Sequence, residues 1–97
     1  LTVDQGYDAA RMCGLNLIAQ VRAACNGDLD RVKQVVKLGA FVNCVEDFTE
    51  HPNVVNGASD LMAEVFDDAG RCTRTNAGVP SLPLGFAVEI DGVFEIE

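Results

Sequence analysis

The chain has 97 residues, 48% of them hydrophobic and 23% charged, which is the profile of one compact domain and too little sequence for two. Fifteen Asp and Glu against seven Lys and Arg give a net charge of −8, and Arg11, Arg22, Arg31, Lys33 and Lys37 are scattered without forming a basic patch. That field repels nucleic-acid phosphates and anionic lipid alike, so neither is an expected partner.

The chain opens Leu1-Thr2-Val3-Asp4-Gln5, without a methionine, so further sequence is expected upstream. Thr2 followed by Gln5 is a capping-box pattern, in which the hydroxyl takes an orphan N–H and the glutamine amide reaches back to the cap. Tyr7, Ala10, Cys13/Gly14, Leu17, Val21 and Ala24 recur at three and four, predicting a helix over 3–25 that Asn26-Gly27 ends. The stretch "VKQVVKLGAFVNCV" is rich in β-branched residues and predicts a strand over 33–44. Its alternation puts Val36, Leu38, Ala40 and Val42 on an apolar face, with Val35, Lys37, Gly39, Phe41 and Asn43 on the other.

After a loop around Glu46 to Pro52, the apolar positions Val54/Val55, Ala58, Leu61/Met62, Val65/Phe66 and Ala69 predict a second helix over 53–69, with Gly70 as its stop. Two closing strands are expected over 73–79 and 87–96, separated by Pro80-Ser81-Leu82-Pro83-Leu84-Gly85, which cannot continue a ladder. On the last strand Val88, Ile90, Phe94 and Ile96 share one side, and Glu89, Asp91, Val93 and Glu95 the other. The order is α-β-α-β-β, an α+β fold with two helices on one face of a mixed sheet.

Cys13, Cys25, Cys44 and Cys72 contain no C-x-x-C pair, so zinc and thioredoxin-like spacings are absent and buried reduced thiols are expected. No apolar run reaches the length of a bilayer span and no signal peptide is recognisable, which leaves a cytoplasmic location as the default. The acidic clusters Asp28/Asp30, Glu46/Asp47/Glu50 and Asp67/Asp68 lack calcium-loop spacing and read as solvated charge, so no metal is expected. His51 lies beside Glu50 and Pro52 in a loop with no matched Ser or Cys motif, and reads as a surface histidine. The glycines are dispersed, giving no phosphate cradle.

Arg74 and Glu89 bracket the stretch "RTNAGVPSLPLGFAVE" on what read as adjacent closing strands folded back on each other. Two accounts suit them. One is a cross-strand ion pair at a rim; the other is a small-acid site, where a guanidinium grips a carboxylate and a nearby carboxylate positions a water.

"TVDQGYDAARMCGLNLIAQVRAA", "GDLDRVKQVVKLGAFVN", "NGASDLMAEVFDDAGR" and "RTNAGVPSLPLGFAVEIDGVFEI" together resemble the RidA/YjgF family, historically labelled endoribonuclease L-PSP, in its longer-chain bacterial branch. The resemblance implies a chorismate-mutase-like subunit, a homotrimer with ligand clefts between subunits, and a single domain over 1–97 that lacks its N-terminal strands. It also implies cofactor-free hydrolysis of reactive enamines and imines, such as 2-aminoacrylate and 2-iminopropanoate, to a keto acid and ammonia. In that frame Arg74 falls on the carboxylate-gripping arginine and Glu89 on the glutamate of the attacking water, while Thr75 and Asn76 edge the pocket. Asn76 replaces a cysteine carried by many relatives, and Asp91-Gly92 replaces a glutamate and a small apolar residue. The alternatives are a trimeric module that binds keto acids without turnover and, third, an endoribonuclease, which the acidic charge and the single histidine oppose.

Overall fold

The computed structural model describes residues 2–44 and 48–97. The expected order of elements is found: α1 (Val3–Ala24), β1 (Val32–Asn43), α2 (His51–Phe66), β2 (Thr73–Val79) and β3 (Val88–Ile96), with single helical turns at Leu29–Arg31, Asp67–Gly70 and Pro83–Gly85. The capping box closes as the sequence predicts. Gln5 N donates to Thr2 Oγ1 at 3.1 Å, and Thr2 N donates to Gln5 Oε1 at 2.9 Å. The acidic cluster at Glu46/Asp47 lies outside the described residues.

The sheet order is β2-β1-β3. β1 runs parallel to β2 and antiparallel to β3, so the closing strands are not neighbours, contrary to the sequence expectation. The longest and most apolar strand takes the centre, where both of its edges are paired. Eight residues, 80–87, separate β2 from β3, more than a tight hairpin of 2–5 residues uses. They arch over the end of β1 instead. Asn43 pins that arch, with its backbone N–H donating to Ala87 O at 2.9 Å and its side-chain Nδ2 donating to Phe86 O at 3.1 Å. Leu84 (φ 58°) and Gly85 (φ 70°) supply the left-handed bend.

The apolar face of β1 also differs from simple alternation. Val32, Val35, Leu38, Ala40 and Val42 are buried, whereas Val36 is 45% exposed. Val35 lies opposite Phe94 but Lys37 lies opposite Val93, so two residues of β1 are spent against one of β3. A bulge of this kind reverses the phase of the residues before it, and a second shift between Val32 and Gln34 restores it at Val32. Leu38 and Val35 thereby face the helices together, although three apart.

Both helices cover that face, and α1 packs on α2 and on β3. The buried stripe of α1 is Gly6, Ala10, Gly14 and Ile18, rotated from the expected one because small residues let the helices approach. A Cβ on Gly6 would stand 3.0 Å from Val54 Cγ2, and one on Gly14 3.0 Å from Leu61 Cδ2. From α2, Val54, Val55, Ala58, Leu61 and Met62 fill the core. Leu38 and Met62 are fully buried, each stabilising the fold by about 1.5–3 kcal/mol relative to an exposed side chain. Two polar contacts close the outer seam between the helices. Tyr7 Oη donates to Asp60 Oδ2 at 2.9 Å, and Arg11 holds Glu64 with both terminal nitrogens, at 3.3 and 2.9 Å.

Gly57 marks the closest approach, because a Cβ there would lie 2.0 Å from the Tyr7 carbonyl oxygen and 3.0 Å from Arg11 N. Backbone cannot yield as a side chain can. Gly57→Ala is therefore expected to lower stability by about 3 kcal/mol or more, read as a lower urea midpoint at unchanged m-value; a midpoint equal to the parent's contradicts the packing described.

Candidate functional site

Strand alternation and register decide which face each candidate occupies. Arg74 and Asn76 lie opposite Leu38 and Ala40, both buried under the helices, so they share the helix side of the sheet. Thr75 lies opposite Gly39, and Glu89 lies opposite Phe41, on the open side, where Thr75, Phe41 and Glu89 are all exposed. Two strand spacings and three residues of offset separate the Arg74 and Glu89 Cα atoms by about 14 Å. Within one chain the two cannot meet. The rim ion pair considered above is absent, and Thr75 and Asn76 point to opposite sides of the sheet.

Arg74 is nevertheless held in place. Its Nη1 donates to Ser59 Oγ at 2.8 Å and its Nη2 to the Pro52 carbonyl at 3.4 Å, both on α2. It forms no ion pair with any described residue. Of its five N–H donors, three remain for another acceptor, Nε–H among them. A planar oxyanion is an acceptor that a guanidinium with several free donors suits.

Farther along the same side of β2 lies a contact that residue spacing alone does not foretell. Cys44 Sγ stands 3.4 Å from His51 Nε2, over Gly78, where a Cβ would come within 2.6 Å of the sulfur and 2.4 Å of the ring nitrogen. His51 is half-buried, with Phe48 edge-on at a 5.2 Å centroid distance; it is not a surface histidine, and a cysteine does match it. The cysteine that follows β1 and the histidine that starts α2 are seven residues apart in the sequence, and the fold brings their side chains into contact. Cys44 also lines a cavity of about 470 Å3 between the start of α1, the end of β1 and the arch, with Val42, Phe48, Val54, Ala87 and Val88 among its walls.

The other thiols differ. Cys25 is fully buried. Burial pushes the Cys13 and Cys72 thiols up from the usual range, with Arg74 partly opposing this at Cys72. No group of three or more His, Cys, Asp or Glu among the described residues could hold a metal ion, and no described helix is long and apolar enough to cross a membrane.

An α+β layer with two helices on one face of a mixed sheet is the subunit architecture of a known class. The family model described as "YjgF/chorismate mutase-like, putative endoribonuclease" matches residues 1–93, and the chain belongs to this YjgF family. Protein TCP17 of Trypanosoma cruzi is 53% identical over 97 residues, covering 99% of this chain and 60% of that protein. The crystal structure of Atu1372 from Agrobacterium tumefaciens, a protein of unknown function, superposes with a TM-score of 0.98 at 44% identity, over 100% of this chain and 63% of that one. A structure from Shewanella oneidensis, given as an endoribonuclease of the same unproven standing, superposes with a TM-score of 0.88 at 41% identity, over 93% and 59%. The chain therefore spans about three-fifths of the length of these relatives.

The thiol shifts have a consequence for stability. A group whose folded pKa is raised keeps its proton in the folded state after the unfolded chain has lost it, so stability falls as pH rises past the unfolded value. For Cys13 and Cys72 the fall begins near the ordinary thiol value of 9.0. Replacing both by Ala is expected to flatten the urea midpoint between pH 8 and 10; an equally steep decline in the double variant contradicts this assignment.

Proposed function

We propose that the protein hydrolyses small imino acids of the 2-iminopropanoate type to keto acid and ammonia, in a cleft formed between copies of the chain. The observation that carries this reading is Arg74, anchored by Ser59 and the Pro52 carbonyl, with three donors left for a carboxylate. Arg74 grips the substrate carboxylate and so fixes the imine carbon in space, which removes the orientational part of the barrier. A water held by the Glu89 carboxylate adds to that carbon. As it does, Glu89 takes one proton from the water and passes it to the imine nitrogen, giving the carbinolamine; it then carries the hydroxyl proton to the same nitrogen as the C–N bond breaks, so that ammonia leaves and the carbonyl forms. The chemistry requires no cofactor, and the substrate is a small imino acid.

Arg74 and Glu89 occupy opposite sides and opposite edges of one sheet. A pocket that uses both takes the arginine from one chain and the glutamate from another, which suits a homotrimer with a cleft at each contact. Phe41 beside Glu89, and Val93 farther along the same side of β3, are 41% and 55% exposed, apolar surface that such a contact would cover. Keto-acid binding without imine turnover is the second reading, which the Arg74 grip alone would support.

The test generates 2-aminoacrylate from serine with a dehydratase and follows keto-acid and ammonia release by the full chain. Arg74→Ala should lower kcat/KM by about 100-fold or more, since charge-assisted hydrogen bonds to the carboxylate are lost. Glu89→Gln should lower kcat by about 100-fold with a small change in KM. Native rates in both variants, or no acceleration by the parent, refute the deaminase reading; calorimetric keto-acid binding with no turnover selects the alternative.

A further inference from the structure

Three independent features converge on Cys44. Its sulfur contacts the His51 ring nitrogen at 3.4 Å, an imidazole being the side chain best suited to take a thiol proton near neutral pH. Gly78 leaves the space in which the two side chains lie, as any larger residue would strike both. The sulfur also lines the cavity of about 470 Å3, whose walls include Val42, Phe48, Val54 and Val88. The backbone holds the cysteine itself, with its N–H donating to Val79 O at 3.1 Å. His51 stands on the first turn of a 16-residue helix, whose N-terminal end favours a negative charge nearby. A nucleophile, its base and an apolar chamber are thus adjacent, without any of them serving the Arg74 grip.

We propose that Cys44 and His51 form a nucleophilic pair that captures small, uncharged α,β-unsaturated carbonyl compounds entering the cavity. The thiol proton passes to His51 Nε2 as the sulfur bonds to the β-carbon of the alkene. The alkene electron pair moves to the carbonyl as an enolate, and the proton is returned to the α-carbon. All atoms of both reactants stay in the thioether product, so the step has no leaving group and no redox partner. The protein's charge of −8 selects against anionic electrophiles, which separates this cavity from a carboxylate-binding cleft.

The test treats the full chain with trans-2-hexenal at pH 7.5 and follows adducts on each cysteine peptide by mass spectrometry. Cys44 should react at least about tenfold faster than Cys13 and Cys72, which have no imidazole against the sulfur to take the proton as the bond forms. His51→Gln should remove that advantage, and Gly78→Ala should weaken it by forcing the pair apart. His51 is the only histidine in these 97 residues, so ethoxyformylation of its ring in the native protein repeats the test without a mutation. A Cys44 rate no greater than the other two, or one unchanged after His51 is blocked, overturns the proposal. The readout is adduct formation, so it stands or falls apart from imine turnover.

Discussion

Everything in this fold is placed by a single strand paired on both edges and buried on one face. β1 contributes Val32, Val35, Leu38, Ala40 and Val42 to the core, and it carries β2 on one side and β3 on the other. Its ladder satisfies its backbone groups while its apolar face receives both helices, so no other element could take the centre at comparable cost. The position of the candidate residues follows directly. Because β1 lies between them, Arg74 and Glu89 occupy different edges; because their register positions differ in parity, they face opposite sides.

The helix face rests on small residues as much as on large ones. Gly57 admits the Tyr7 carbonyl, and Gly6 and Gly14 admit Val54 and Leu61, so α1 and α2 lie close enough to exclude water from Leu38 and Met62. The same close packing fixes the start of α2 beside β2. Ser59 and the Pro52 carbonyl then hold Arg74, and His51 reaches Cys44. Core packing and site geometry are one arrangement here, since moving α2 would release the guanidinium and the imidazole together.

Much of this was legible in the sequence. The capping box at Thr2 and Gln5, the β-branched run from Val32 and the helical spacing after Pro52 each carry a local physical signal, and each element stands within about three residues of its expected bounds. The phase of β1 was not legible, because a bulge inserts a residue without changing composition, and Val35 and Val36 are the same amino acid. Nor was the strand order. A proline-rich stretch of eight residues suits a loose hairpin or an arch, and the choice is made by Asn43, whose amide bonds Phe86 across 43 positions of sequence. Arg74 and Glu89 could be picked out by type and interval, but their faces depended on that strand order. The Cys44–His51 contact was hidden for a similar reason: whether the end of a strand and the start of a helix are neighbours depends on how the two elements pack.

The proposed imine hydrolysis needs a cleft that takes Arg74 from one chain and Glu89 from the next. Co-assembly of full-length Arg74→Ala and Glu89→Gln chains, each inactive alone, measures this directly. Random mixing in a cyclic trimer pairs an intact arginine with an intact glutamate in about a quarter of the clefts, and imine hydrolysis should return to about that fraction of the native rate. Mixed trimers that form but stay inactive would show that the two residues do not act across a subunit contact.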